Sequence, residues 1–464
     1  MTDASPLPRT DRSEAASRPS PLLTLERVAF LGMLLTLAVY MPGFMSADSL
    51  DQLRQARISV FSDWHPPVMA WVWKGMDGIV AGPFGMLLLQ AAAWWFGLAL
   101  FIGHLFRHRL APLLLLVVGF WPPFFAMVGT IWKDVQMATA MTLACGLLLL
   151  GKKQGGWPLY AALLALAYAA AMRHNALPAV IPLAAFAAWL ASARLVGWIQ
   201  RLLIILLVTG GLIVLPTWVN DQATDVKGYA IQTLFAYDLV GISTQVGQNL
   251  LPPAIQPHPL TPSELQSMYT PWSLAPIYWN VDPRLNLTIS SQPEAVAELQ
   301  QAWRSAVWTH KAAYLKHRYQ VFLKQLGWTP EVYYPYHRGI DPNTLGVSHT
   351  PSKLTSKVLS QLDTLKDGLM FRTWVYGLVL FGVLGVCLRG ILQREPRALL
   401  AALLATSGLL YLAPYYLISV AADLRYNLWA MISCMLALLV LGAGHPAWRA
   451  SEPLERFHRE STTK

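Results

Sequence analysis

Charged residues are scarce in this chain: Asp, Glu, Lys and Arg make up 13% of its 464 residues. A soluble globular protein contains about 25% charged residues, so the composition argues against an ordinary water-soluble enzyme. Hydrophobic residues reach 55%, and the mean hydropathy is +0.41. These values predict an all-α polytopic membrane protein.

Cysteine is also rare. The chain has three cysteines, Cys145, Cys387 and Cys434, and each lies within an apolar run. This placement argues against a disulfide framework or a zinc cluster, since both bring several cysteines together. We therefore expect the three thiols to be small buried side chains.

Ten apolar stretches are candidates for membrane spans, because a bilayer core needs about 20 apolar residues per helix. The stretches are 28–45, 83–103, 110–128, 135–150, 157–172, 176–193, 202–219, 371–388, 398–417 and 427–443. The first is too long for a signal-peptide core, which predicts that it is retained.

The spans divide the chain into five regions. Residues 1–24, rich in Ser, Pro and Arg, predict a disordered N-terminus. A transmembrane core over 25–219 contains a first outer loop over 46–82. A partly helical insertion over 220–370 is too long for a plain connector. C-terminal spans over 371–443 and a tail over 444–464 complete the chain.

The distribution of Lys and Arg predicts the orientation, since cytoplasmic loops are enriched in both residues. If both termini are cytoplasmic, that side holds 17 of the 35 cations and 8 of the 25 acids. The net charge is then +9 inside and +1 outside. The overall +10 therefore records insertion into a membrane, expected to be a bacterial inner membrane, and gives no indication of a nucleic-acid partner.

Polar side chains collect at four connections on the predicted outer face. They follow the first span (Asp48, Asp51, His65), precede the fourth (Lys133, Asp134), follow the fifth (Arg173, His174, Asn175) and precede the tenth (Asp423, Arg425, Tyr426). Each motif alone is also explained as solvated or snorkelling interfacial residues. Their joint occurrence on one face predicts a shared cavity.

The first outer loop has local structure of its own. Asp48 and Asp51 are three residues apart, so they share one face of a helix that Ser46 can cap. His65 is followed by two prolines, which predicts an extended stretch and then a new helix. That helix, over 68–80, suits the membrane interface.

The order of these motifs resembles that of the C-type glycosyltransferases that use polyprenyl-phosphate-linked sugars, such as protein O-mannosyltransferases and the lipid A aminoarabinose transferase. That family has an acid after the first span, a His or Lys before Pro-Pro-Leu, an acid opening the fourth span, a basic turn after the fifth and an Arg-Tyr pair before the last. The matching residues are Asp48, His65 to Val68, Asp134, Arg173, and Arg425 with Tyr426. The resemblance covers most of residues 28–443. It implies about ten transmembrane helices, interfacial helices in the first outer loop and a large extracytoplasmic insertion.

One residue departs from the family pattern. Ser49 stands where the family often has a second acid beside the first, so a two-carboxylate metal site at this point is in doubt. His65 could supply a ligand instead. The candidate ligands of a divalent cation are then Asp48, His65 and Asp134, and their spacing specifies no particular metal.

The resemblance also implies the chemistry. A polyprenyl-phosphate sugar has an activated anomeric carbon, so the enzyme must deprotonate an envelope acceptor, stabilise the leaving phosphate and exclude water. Asp48 is the expected general base, and Asp134 orients the acceptor or shares a metal. The expected phosphate ligands are Lys133, Arg173 and Arg425. His65 and Tyr426 are second-rank candidates, and Asp51, His174, Asn175 and Asp423 are secondary ones.

The best helix of the insertion is predicted over 293–326, where aromatic and basic residues alternate. Two interpretations stay open. The helix packs on the surface with a solvated basic face, or it is a partial lid whose basic side faces an anionic lipid or glycan.

Three rival functions also remain. A lipid-linked glycan flippase or transporter would keep ionisable groups near the bilayer midplane, whereas the middles of nearly all spans lack charge. An outer-face glycan polymerase or ligase would also use an outer cavity with arginines. Only the first-loop aspartate and the His-Pro-Pro order favour the transferase over it. A non-catalytic assembly partner explains none of the four motifs.

Overall fold

The computed structural model describes residues 21–106, 110–192, 197–330, 332–393 and 395–443. These residues form helices and contain isolated β-bridges but no β-strand. The first ten helices are α1 Pro21–Tyr40, α2 Ala47–Ile58, α3 Pro67–Asp77, α4 Phe84–Leu105, α5 Ala111–Gly119, α6 Pro122–Val128, α7 Lys133–Gln154, α8 Trp157–Met172, α9 Leu177–Ala191 and α10 Trp198–Ala223. The other ten are α11 Gln232–Val246, α12 Pro262–Met268, α13 Ala275–Tyr278, α14 Pro293–Thr309, α15 Lys311–Gln325, α16 Lys353–Leu365, α17 Thr373–Leu392, α18 Pro396–Leu412, α19 Tyr415–Ile418 and α20 Leu428–Gly442.

Seven helical segments are long and apolar enough to cross a membrane. They are Phe84–Leu105, Lys133–Gln154, His174–Ala191, Trp198–Ala223, Thr373–Leu392, Arg397–Ile418 and Leu424–Gly442. The bent pair α5 and α6 would make an eighth. The all-helical prediction is therefore confirmed for the described residues, which contain seven or eight helices that could span a membrane. The other two predicted spans correspond to α1 and to α8, a shorter apolar helix, and the count of ten stays a prediction.

Two predicted spans differ in detail from the helices observed. The first helix ends at Tyr40, five residues before the predicted end, because Pro42 and Gly43 follow. The stretch 110–128 is bent by 62° between α5 and α6. The cause is Pro122–Pro123, since proline supplies no backbone N–H and disfavours helical geometry in the residue before it.

Helix α7 lies at the centre of the bundle, with 89% of its apolar window buried. Its closest neighbour is α4, and small residues allow the close approach. A Cβ on Gly97 of α4 would lie 2.7 Å from the backbone nitrogen of Leu143, and one on Gly146 would lie 2.6 Å from the carbonyl oxygen of Gly97. Gly-mediated contacts of this kind are typical of helices in membranes. The first residues of α7 are therefore held at a fixed place at one end of the bundle.

The three cysteines are buried, as predicted, and are free thiols. The predicted N-terminal region lies outside the described residues up to residue 20, whereas 21–24 belong to α1. The predicted tail, 444–464, also lies outside the described residues.

The insertion between α10 and α17 contains helices α11 to α16 and has a small apolar core of its own. The predicted continuous helix over 293–326 is two helices, α14 and α15, which meet at His310. His310 leaves helical geometry with φ −115° and ψ 46°. The break lets α14 and α15 both pack on α11.

A second part of the insertion reaches back into the bundle. The segment 334–341, here called the insertion arm, pairs with the residues after α1. The backbone nitrogen of Met45 donates to the carbonyl of Gly339 at 2.8 Å, and that of Asp341 donates to the carbonyl of Met45 at 2.9 Å. On the other side, Phe44 pairs with the loop before α7, since Ile131 N–H donates to its carbonyl. The arm, the loop after α1 and the loop before α7 therefore lie side by side.

Candidate functional site

The four predicted connections meet at one end of the bundle, here called the site end. Asp48 lies in the first turn of α2, and its Oδ2 is 2.8 Å from an Nη of Arg425, in the turn before α20. Its Oδ1 is 3.9 Å from Nε2 of His65, just before α3. The side chain of Asp48 is 32% exposed, whereas those of His65 and Arg425 are 6% and 10% exposed. Asp48 is thus the accessible member of this group.

Asp134 and Arg173 form a second pair close by. Asp134 is fully buried in the first turn of α7 and forms an ion pair with Arg173 at the end of α8. Arg173 also donates through Nε to Oδ1 of Asn175 at 2.9 Å. The Oδ2 of Asp134 is buried without a hydrogen-bond partner in the described residues. Because Asp134 has no exposed surface, it can act on a ligand only through Arg173.

Aromatic rings hold the two arginines. The guanidinium of Arg425 lies 4.6 Å from the ring centroid of Trp132, and that of Arg173 lies 4.8 Å from the ring of Tyr426. Tyr426 stacks on Tyr415 at 5.6 Å. Cation–π contacts of this kind attract a guanidinium and fix its plane. The two cations are therefore oriented before any ligand arrives.

Lys133 and His65 are joined by a 2.8 Å contact between Nζ and Nδ1. A lysine ammonium can only donate, so Nδ1 of His65 accepts, and the proton of the neutral imidazole is on Nε2. Burial and the neighbouring charge of Lys133 lower the pKa of His65 to about 3, although Asp48 acts in the opposite direction. His65 is therefore neutral at physiological pH, with its N–H on the side of Asp48.

The two carboxylates on Arg425 have opposite pKa shifts. Burial alone would raise the pKa of Asp48, but Arg425, His65 and Lys133 together outweigh burial and hold that pKa well below its usual range. Asp423, which accepts from Nε of Arg425 at 2.9 Å, has its pKa raised to about 6 by burial, with Asp48 adding to the effect and Arg425 opposing it. Asp48 is consequently a carboxylate at neutral pH and can accept a proton.

Not every predicted site residue belongs to this group. Asp51 is paired with Arg54 at 2.6 Å and accepts from Gln55 at 2.6 Å, both on its own helix. His174 is exposed beside Arg173. Ser46 precedes α2 as predicted, but it makes no side-chain cap and accepts from Nε1 of Trp132 instead. These residues frame the site or lie at its edge.

The candidate metal ligands are a poor fit to a divalent cation. Each is already in contact with a positively charged group: Asp48 with Arg425, His65 with Lys133, and Asp134 with Arg173. Ser49 is buried and donates to the carbonyl of Ile131 at 2.7 Å, so the position of the family's second acid has a packing role here. Within the described residues no group of three or more His, Cys, Asp or Glu could hold a metal ion.

The sequence did not predict the contribution of the insertion arm. Tyr334 packs 6.2 Å from the ring of Trp132, and its carbonyl accepts from the N–H of Leu424 at 3.4 Å. His337 lies 6.0 Å from the same indole. The aromatic run around Tyr334 was visible in the sequence. No local pattern predicted that it would pack beside Met45, about 290 residues earlier in the chain.

Comparison with known proteins adds no relative. No family model matches the chain, and no curated protein and no solved structure matches it either. The resemblance to the polyprenyl-phosphate glycosyltransferases therefore rests on the motifs themselves. Chemically, the site end combines an accessible carboxylate with three oriented cations, a set suited to proton abstraction beside an anionic leaving group.

Proposed function

We propose that this protein is an integral membrane glycosyltransferase. It moves a hexosyl or pentosyl group from a polyprenyl-phosphate donor to a cell-envelope acceptor, which is a lipopolysaccharide, another glycan or a protein. The observation that carries the proposal is the contact of the exposed carboxylate of Asp48 with Arg425 and, more distantly, with His65, which Lys133 contacts in turn. The site end thus offers both a base and positive charge.

Asp48 acts as the general base. It is ionised at neutral pH because Arg425, His65 and Lys133 together overcome burial and keep its pKa low, and it has the surface needed to reach a ligand. A strongly depressed pKa makes it a weak base, so a donor phosphate that draws Arg425 away would raise its basicity when the substrate is bound. Proton abstraction is thereby coupled to donor binding.

Arg425, Lys133 and Arg173 stabilise the phosphate. The side chains of Arg425 and Arg173 are 10% and 13% exposed, so each is partly accessible to a ligand. A planar guanidinium can bind two phosphate oxygens at once. Asp134 is a positioning residue that acts through Arg173, and neutral His65 directs its Nε2–H toward Asp48 from 3.9 Å.

The reaction balances with these groups alone. The bond from the anomeric carbon to the phosphate oxygen breaks, and its electron pair leaves with polyprenyl phosphate, whose charge the three cations neutralise. A bond forms between the anomeric carbon and the acceptor oxygen or nitrogen. The acceptor proton passes to Asp48.

The charge asymmetry supports a location in a bacterial inner membrane with both termini in the cytoplasm and the site on the periplasmic face. Reporter fusions at residues 155 and 300 test this arrangement. We expect a cytoplasmic signal at residue 155 and a periplasmic one at residue 300. A cytoplasmic residue 300 contradicts the proposal, because the polyprenyl-phosphate donor is expected outside.

The decisive experiment is sugar transfer in proteoliposomes from a radiolabelled polyprenyl-phosphate sugar to an envelope extract. Asp48→Asn should lower the rate by about 10²- to 10⁴-fold, the contribution of a general base. Asp51→Asn is the matched control, since Asp51 lies on the same helix and is paired with Arg54. If each of the three single variants, Asp48→Asn, Asp134→Asn and Arg425→Ala, retains full transfer, the proposed site is wrong.

A further inference from the structure

The insertion arm brings a chain of hydrogen bonds to the site end. Nε2 of His337 is 3.0 Å from the carbonyl oxygen of Met45, and Nδ1 of His337 is 2.6 Å from the hydroxyl of Tyr334. The arm is held on both sides, by backbone bonds to Met45 and by the bond from Leu424 N–H to the carbonyl of Tyr334. The chain therefore runs in a fixed order from the carbonyl of Met45 through the imidazole of His337 to the hydroxyl of Tyr334.

The direction of each bond in the chain follows from its buried end. A carbonyl oxygen only accepts, so Nε2 of His337 must carry a proton. His337 is buried, and burial lowers its pKa, opposed by Asp341 and Asp48 and supported by Arg425. A neutral imidazole protonated on Nε2 has a lone pair on Nδ1, so the Tyr334 hydroxyl donates to it.

Tyr334 consequently has no proton to offer a ligand. Its oxygen keeps its acceptor capacity, and the side chain is 37% exposed. Its ring lies 6.2 Å from that of Trp132, which also contacts the Arg425 guanidinium at 4.6 Å. Its carbonyl accepts from Leu424, the neighbour of Arg425, so Tyr334 lies at the site end. Its backbone has φ +44°, a conformation that is costly for a residue with a side chain and persists only where the surroundings impose it.

We propose that Tyr334 is a specificity-determining residue that accepts a hydrogen bond from a hydroxyl or amine proton of the sugar acceptor other than the one that Asp48 removes, and that it does not bind the donor phosphate. The inference rests on the proposed glycosyltransferase function. A phosphate oxygen needs a hydrogen-bond donor, which Tyr334 lacks, whereas the acceptor has a proton to spare on a neighbouring hydroxyl or on the second N–H of an amine. Tyr334 and Asp48 then both face the acceptor, and the cations face the phosphate.

The hydrogen-bond direction can be measured without any activity. The full chain is labelled with ¹⁵N-histidine, reconstituted in proteoliposomes and studied by solid-state NMR, with His337→Gln assigning the signals. We expect a neutral His337 protonated on Nε2, and a shift of its Nδ1 signal in Tyr334→Phe. A proton on Nδ1 at neutral pH would overturn the inference.

Two further measurements test the ligand assignment, with Tyr333→Phe as the matched control because Tyr333 is the adjacent tyrosine and is also exposed. Tyr334→Phe should leave the affinity for polyprenyl phosphate unchanged. It should raise the amount of envelope extract needed for half-maximal transfer from polyprenyl-phosphate glucose roughly three- to tenfold, the worth of one neutral hydrogen bond. Thermal melts should show that both variants are folded.

The outcomes separate the two proposals. Weaker binding of polyprenyl phosphate by Tyr334→Phe would place the tyrosine on the phosphate and overturn the inference, as would an unchanged dependence on the extract. A wild-type protein that neither binds polyprenyl phosphate nor transfers sugar from any polyprenyl-phosphate donor overturns the proposed function itself, and the acceptor assignment falls with it. In that case the NMR result still decides the direction of the hydrogen bonds.

Discussion

Two clusters in this molecule contain Asp, His and Arg side chains, and they differ in exposure. In the insertion, Asp238, His317 and Arg318 are all fully buried. At the site end, Asp48 is 32% exposed and contacts Arg425 and His65. The residue types are the same. The buried cluster in the insertion can only stabilise the fold, whereas the cluster at the site end is accessible and can also act on a ligand.

The insertion cluster is closed by its own contacts. Asp238 contacts Nε2 of His317 at 3.1 Å, forms an ion pair with Arg318 and accepts from Nε1 of Trp303 at 2.7 Å. The hydroxyl of Tyr269 is 2.8 Å from Nδ1 of His317. Burial lowers the pKa of His317, so its ring is neutral, and the cluster combines this ring with the acidic Asp238 and the basic Arg318.

The two clusters are linked through the turn that carries Arg425. Arg318 donates to the carbonyl of Ser419 at 2.6 Å, and Gln325 exchanges hydrogen bonds with Asn427 at 3.1 and 2.9 Å. Both partners lie on the chain segment that runs into α20. The closed cluster therefore holds in place the segment that positions Arg425 in the open one.

The largest expected difference in stability comes from removing one acid from each cluster. Asp238→Asn leaves Arg318 buried without its counter-charge and should cost about 3–5 kcal/mol of unfolding free energy. Asp48→Asn should cost much less, because Asp48 is partly solvated and Arg425 keeps Asp423. Denaturant titration in mixed micelles measures both. Equal losses would contradict the distinction between the clusters.

A smaller effect tests how tightly the closed cluster is packed. A Cβ on Gly241 would lie 2.2 Å from Nδ1 of His317, so Gly241→Ala should destabilise the protein by about 1–3 kcal/mol through overpacking. Gly210→Ala is the control, since a Cβ there meets no atom within 4 Å. A neutral Gly241→Ala would show that the cluster can expand.

The pH dependence of stability sharpens the contrast further. His65 is neutral in the fold down to about pH 3, whereas an unfolded histidine takes up a proton near pH 6.5. Between these values the unfolded state binds the extra proton, so the contribution of His65 to stability falls as the pH falls, by up to about 1.4 kcal/mol per pH unit. His65→Gln should lose this component of the pH dependence. Parallel curves for the wild type and the variant would contradict a neutral His65.

The smallest effect is expected at the edge of the site. The Asp51–Arg54 ion pair is exposed, with side chains 31% and 53% accessible, and pairs of this kind contribute about 0.2–1 kcal/mol. Asp51→Asn should therefore change the unfolding free energy by less than about 1 kcal/mol and leave sugar transfer intact. A large loss of transfer would bring Asp51 into the site and weaken its use as a control.

Predictions from local patterns agreed well with the fold. The helix predicted after Ser46 is present, although Ser46 does not cap it. The helix predicted over 68–80 is observed over Pro67–Asp77, because the preference of proline for a first helical position acts locally. The break at His310 was not predicted, since no proline or glycine marks it. It follows from the packing of both α14 and α15 on α11.

For the site, the four motifs at span ends could be grouped from charge and topology alone. Their partners could not be predicted: no local pattern pairs Asp134 with Arg173 and Asp48 with Arg425, and none leaves Asp51 outside the site. The pairing depends on how each helix is rotated about its axis and on which helix ends lie next to each other. Both are determined by contacts between segments distant in the chain.

By itself, the sequence determined that this chain is helical and apolar enough to cross a membrane several times, because hydropathy and helix signals are properties of short stretches. Only the tertiary structure decided which carboxylate is accessible, which histidine is neutral and that the insertion arm reaches Met45. Those properties arise from burial and charge contacts between residues far apart in the chain, and no local pattern contains them.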